Sequence, residues 1–137
     1  MELTYEATSR TVATAKGALH YHEAGEGSPL VLLHGSGPGV SAWANYRDNL
    51  GAFAEHFRVL ALDFPGFGTS YASDVNPLLA AAPAVIDFLD ALDLGPVPIL
   101  GNSMGGNVAS RVAAANPERV SRLVTIGGIG FTLFSAS

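Results

Sequence analysis

The sequence is 137 residues long, 48% hydrophobic and 14% charged, which suits a single ordinary domain with enough apolar side chains to bury a sizeable core. Its formal net charge is −5 and its basic side chains are Lys16 and six arginines, so no basic patch offers itself to nucleic acid and the surface is expected to be mildly acidic. The absence of cysteine excludes disulfides and thiolate metal sites, and fits a reducing compartment.

The start, "MELTYEATSR", carries Glu2 and Glu6 and has no basic segment followed by an apolar one, so it does not read as a secretory signal. No apolar run approaches the ~18 residues of a membrane span, and a cytoplasmic location is expected. No internal repeat, low-complexity tract or linker-like break divides the chain, so residues 1–137 are treated as one unit.

Residues 8–15 and 17–24 are predicted to form a hairpin about Lys16 and Gly17, the second strand alternating Leu19 and Tyr21 with His20 and His22. "PLVLLH" at 29–34 and "RVLALD" at 58–63 are short continuous apolar runs of the kind buried on both faces of a parallel sheet. Between them, Trp43, Tyr46, Leu50 and Phe53 recur at helical spacing and predict an amphipathic helix over about 42–54. The plan then repeats, with a helix over about 78–92, a stop at Gly95 and Pro96, and a strand at "VPIL". A helix over about 103–115, ended by Asn116 and Pro117, and a last strand at 122–127 complete the series. Strand and helix alternate throughout, which argues for a mostly parallel α/β sheet with right-handed crossovers and ligands at the carboxyl ends of its strands.

Two stretches carry chemistry. In "GNSMG", 101–105, Ser103 lies in a G-x-S-x-G turn behind an apolar strand and ahead of a helical pattern, the surroundings in which a serine is held at the tip of a sharp turn as a nucleophile. Strain is expected there, with Ser103 in a sparsely populated backbone conformation. In "HGSGPG", 34–39, a glycine-rich loop follows the third strand. Acyl chemistry on a serine generates an oxyanion, and the backbone N–H of Ser36 or Gly37 together with that of Met104 would supply its donors, worth roughly 3 kcal/mol each. A phosphate cradle fits badly, because no G-x-x-x-x-G-K-[ST] is present and Val40 occupies the third glycine position of G-x-G-x-x-G.

The remaining polar candidates take ordinary roles. Asp63, ahead of a Pro-Gly turn, reads as a loop-ordering group. His20 and His22 are expected to be solvated on the polar face of the hairpin, His34 to make a structural hydrogen bond beside the glycines, and His56 to lie at the surface behind a helix. None has a metal-ligand partner at useful spacing, so no metal is expected.

"LHGSGPGVSAWANYR", "DFPGFGTS" and "GNSMGG", in this order and spacing, resemble the α/β-hydrolase superfamily and, within it, the meta-cleavage product hydrolases that split carbon–carbon bonds in ring-fission products of aromatic degradation. The resemblance implies a mostly parallel, doubly wound α/β sheet, with Ser103 as nucleophile and Ser36 or Gly37 with Met104 as oxyanion hole. It further implies Asn45 and Asn102 as polar contacts to the substrate, a small 2-hydroxy-6-oxo-2,4-dienoate. In the family the dienol ketonises, the C6 carbonyl is attacked, and the chain cleaves to a carboxylic acid and a 2-hydroxydienoate without a cofactor. Complete members are homo-oligomers, and neither nucleic acid nor membrane is implied as a partner.

The departure lies in the triad. The superfamily orders it serine, acid, histidine along the chain, whereas after Ser103 this sequence has one acidic residue, Glu118, and no histidine. Matched to the family, the sequence is the amino-terminal part of a single core domain, truncated after about the sixth strand with the lid absent. Three readings therefore stay open: a partial C–C hydrolase, an ester, thioester or lactone hydrolase of the same fold, and a non-catalytic fragment.

Overall fold

A computed structural model describes residues 3–127 of the chain. Six strands form one sheet: β1 (Ser9–Thr14), β2 (Gly17–Ala24), β3 (Pro29–Leu33), β4 (Arg58–Leu62), β5 (Val97–Asn102) and β6 (Val120–Ile126), in the order β1-β2-β4-β3-β5-β6. The hairpin β1–β2 and the β2–β4 pair are antiparallel, while β4, β3, β5 and β6 run parallel to one another. The helices are α1 (Tyr5–Thr8), α2 (Ala42–Ala54), α3 (Pro77–Ala91) and α4 (Met104–Ala115), with a 3₁₀ turn at Pro117–Arg119.

The continuous apolar runs of β3 and β4 are buried on both faces because side chains alternate across a strand. Val31, Leu33, Leu60, Leu62 and Ile99 join Val85 and Phe88 of α3 and Val108 and Val112 of α4 in one core. Leu30, Leu32, Val59 and Ala61 meet Ala42, Tyr46 and Leu50 of α2 on the opposite face. Helices thus cover both faces, as a doubly wound sheet requires.

The predicted elements all form, with shifts at their ends. Strands 29–34 and 58–63 each stop one residue early, so His34 and Asp63 belong to the loops. "VPIL" continues to Asn102, carrying the strand into the serine turn. Helix α3 begins at Pro77, where a missing N–H costs nothing, and contains Pro83, exposed on its outer side. The turn α1 has no counterpart among the predicted elements; Thr4 caps it by accepting from the Ala7 N–H at 3.1 Å.

One expectation is overturned. His20 and His22 are not solvated but 3% and 1% exposed. The alternation itself holds, since both histidines lie on the face opposite Leu19 and Tyr21, but that face is covered. Tyr5 of α1 stacks on His20 at 5.7 Å and meets His22 edge-on at 4.7 Å, and Trp43 of α2 packs on His22 at 5.1 Å. Sealed from water, both rings need hydrogen-bond partners from the protein.

Candidate active site

The turn at Ser103 is built from backbone in contact with backbone. A Cβ at Gly101 would overlap the Gly105 carbonyl oxygen, and one at Gly105 would overlap the Leu33 carbonyl oxygen. Only glycine fits at either position. Ser103 caps α4 at φ 54°, ψ −112°, the expected strained conformation. Its N–H donates to the Ile126 carbonyl at 2.8 Å, and its own carbonyl accepts from Gly106 and Asn107, so the main chain is pinned on both sides. The half-buried hydroxyl makes no capping bond and touches no histidine among the described residues. Met104 supplies the first N–H of α4, a donor without an acceptor in its own helix.

The glycine loop comes to this turn at Gly35, where an added Cβ would lie 3.5 Å from the Ser103 Cβ and 3.4 Å from the Asn102 carbonyl oxygen. Asn45 fastens it there. Its Oδ1 accepts from the Gly35 N–H at 2.8 Å and from Asn102 Nδ2 at 3.1 Å, so the two asparagines bond each other and the loop. Among the described residues the Asn45 amide nitrogen and the Asn102 amide oxygen have no hydrogen-bond partner. Ser36 and Gly37 form the exposed tip, where Gly37 at φ 132° and Gly39 at φ 75° take conformations that favour glycine. Beneath them Tyr46 donates to the Leu33 carbonyl at 2.8 Å, and burial holds its phenol well above the ordinary range.

His34 has the structural role expected of it. Its Nδ1–H donates to the Gly35 carbonyl at 2.7 Å and its Nε2 accepts from the Phe64 N–H at 3.1 Å, tying the 34–39 loop to the "DFPGFG" loop. With both nitrogens engaged, and burial lowering its pKa, it is no base for Ser103. Asp63 orders loops as expected, Oδ1 accepting from the Ala42 N–H at 2.8 Å, but its Oδ2 also meets His20 Nδ1 at 2.7 Å. Local spacing gives no sign of that pairing, because 43 residues separate the partners and the histidine is expected in water. His56 is exposed behind α2, and Glu118 is exposed in the 3₁₀ turn. No three metal-ligating side chains converge among the described residues, and no helix there is long and apolar enough to cross a membrane.

Comparison with known proteins bears on the fold and the family. The chain is 40% identical over 122 residues to the 2-hydroxy-6-oxo-6-phenylhexa-2,4-dienoate hydrolase of Comamonas testosteroni, covering 85% of this chain and 43% of that protein. It is 42% identical over 134 residues to the 2-hydroxy-6-oxononadienedioate/2-hydroxy-6-oxononatrienedioate hydrolase of Paraburkholderia xenovorans, covering 92% and 46%. Among solved structures, a mutant of the meta-cleavage product hydrolase of Pseudomonas fluorescens, complexed with acetates, superposes with a TM-score of 0.79 at 37% identity, over 83% of this chain and 43% of that one. The 2-hydroxy-6-oxo-6-phenylhexa-2,4-dienoate hydrolase of a Rhodococcus gives 0.83 at 29%, over 89% and 46%. The chain thus spans about half the length of the curated relatives it matches. Residues 28–136, from the strand before the glycine loop past the serine turn, match the alpha/beta hydrolase fold family, and the chain belongs to that family.

Proposed function

We propose that this chain is the amino-terminal part of a single-domain serine hydrolase that cleaves a carbon–carbon bond in 2-hydroxy-6-oxo-2,4-dienoates. The observation that carries the proposal is Ser103 at φ 54°, its hydroxyl without a hydrogen bond among the described residues, packed against the Gly35 loop that Asn45 and Asn102 hold. The relatives' names supply the substrate class. Ser103 Oγ adds to the C6 carbonyl of the ketonised dienoate; the N–H of Met104 and that of Ser36 or Gly37 receive the oxyanion. The ketone at the other end of the substrate accepts the electron pair of the breaking bond, which makes carbon a tolerable leaving group. Asn45 Nδ2 and Asn102 Oδ1 contact the substrate's polar atoms. The acid and base belong to the remainder of the whole protein, since none of the four histidines reaches Ser103 among the described residues. A cytoplasmic, homo-oligomeric whole protein completes the reading; the cysteine-free composition supports the location alone.

Stopped-flow loss of the coloured dienoate tests it. Without a base the 137-residue chain is expected to show only residual catalysis, ~10³ to 10⁴-fold over water from the oxyanion donors and binding. Fusing the corresponding remainder of a relative restores turnover, and Ser103→Ala removes it again. A completed protein that hydrolyses simple aryl esters and leaves dienoates intact would favour the esterase reading instead.

A further inference from the structure

A serine, a histidine and an aspartate do stand in line in this chain, away from the Ser103 turn. Asp63 Oδ2 accepts from His20 Nδ1–H at 2.7 Å, which fixes the imidazole as the tautomer with its lone pair on Nε2. That lone pair faces the hydroxyl of Ser9, the first residue of β1, in direct hydrogen-bond contact. The chain is held rigidly from every side. The other carboxylate oxygen of Asp63 is bonded by the Ala42 N–H, and Gly68 wraps the carboxylate so closely that any side chain there would strike it. The Asp63 N–H donates to the His20 carbonyl at 2.9 Å, while Ser70 Oγ accepts from the His20 N–H at 2.8 Å and donates to the Asp63 carbonyl at 2.6 Å. Tyr5 lies flat on the imidazole, 19° from parallel.

The acid and base are almost wholly buried, whereas Ser9 is half-exposed at the sheet edge. Ser9 satisfies the second nitrogen of a buried ring, and a hydroxyl of a partly exposed residue on that nitrogen is also the arrangement that removes a proton from a nucleophile. A cation stands at the same residue. Arg10 Nη1 donates to the carbonyls of Ser9 and Ala7 at 2.9 and 3.1 Å, which fastens a cation to the main chain beside Ser9.

We propose that Ser9 is a second nucleophilic serine, served by His20 and Asp63, which takes an acyl group from activated aryl esters. Ser9 Oγ forms the bond to the ester carbonyl carbon as its proton passes to His20 Nε2. The carbon–oxygen bond to the aryl group then breaks, the phenolate leaves with the electron pair, and His20 returns the proton to it as phenol. The site takes esters with good leaving groups, whose breakdown asks least of oxyanion stabilisation.

The test is acetylation of the intact chain by p-nitrophenyl acetate, with the rate at each serine read by peptide mass mapping. Exposed Ser28, which has no hydrogen bond to a histidine side chain among the described residues, is the internal reference. Ser9 is expected to acetylate at least about tenfold faster than Ser28, to lose that preference in concentrated urea, and to lose it in folded His20→Gln. Acetylation of Ser9 no faster than of Ser28 in the folded wild-type chain overturns the proposal, as does a preference that survives in folded His20→Gln. Should His20→Gln fail to fold, the wild-type comparison decides alone. The map reads Ser103 separately, so the outcome there leaves this one untouched.

Discussion

Ser103 is held at φ 54° by bonds on both sides, a conformation that costs a non-glycine residue about 1–3 kcal/mol. Ser103→Gly is therefore expected to raise stability by about 1 kcal/mol in urea unfolding while removing acylation at this position. His22 makes the opposite trade. The Thr8 hydroxyl donates to the Thr4 carbonyl, so it accepts from His22 Nδ1–H, and His22 Nε2 is left buried without a partner. A proton there has nothing to bond, and burial, reinforced by His20 and opposed by Asp63, lowers the pKa to about 4. The unfolded chain, titrating near 6.5, binds the proton first. Stability from His22 is thus fully present above about pH 6.5 and is lost as pH falls toward 4, by up to about 3 kcal/mol. Unfolding midpoints between pH 7 and 4.5 check it: the slope flattens in His22→Asn if that variant folds, and a wild-type midpoint that does not move over this range counts against the assignment. Ser103, its glycines and His34 are all legible from local spacing. The pairing of His20 with Asp63 is not, because it depends on which face α1 and Trp43 happen to cover.

At the scale of elements, Asp63 joins four segments: the hairpin through His20, the end of β4, the 64–70 turn through Gly68 and Ser70, and the first turn of α2 through Ala42. Because α2 carries Asn45, the same carboxylate indirectly sets the Gly35 loop against Ser103. In Asp63→Asn the amide NH2 would face either the His20 N–H or the Ala42 N–H, so one of the two donors loses its acceptor or the imidazole changes tautomer. A loss of about 2–4 kcal/mol in urea unfolding is expected, and a loss under about 1 kcal/mol would remove Asp63 from this hub. Strands and long helices are readable because continuous apolar runs and helical spacing encode burial directly: of the α2 pattern, Tyr46 and Leu50 are buried and Trp43 and Phe53 half-buried. The single turn α1 has too few residues for a periodic signal, and only its Thr4 cap hints at it.

Over the whole molecule, the sheet is unequal at its two margins. Strand β6 pairs with β5 alone among the described residues, and Leu123, Val124 and Ile126 are 42%, 49% and 52% exposed. Such a strand offers both unpaired amides and apolar surface to another chain. Sedimentation is expected to show mass growing with concentration for the wild-type chain and a monomer for Val124→Lys; a wild-type chain that stays monomeric at high concentration would contradict this. The strand order also has a bearing on time. Val31 pairs with Ile99 and Tyr21 with Leu62, so the sheet's central contacts join residues far apart in the chain, and folding is expected to take milliseconds to seconds. The amide of Ser103 draws its acceptor from Ile126, at the far end of the described strands. Pulse-labelling hydrogen exchange during refolding should find that proton among the last protected, after the β1–β2 hairpin amides. The nucleophile's geometry is then a late product of folding, absent from any earlier collapsed state.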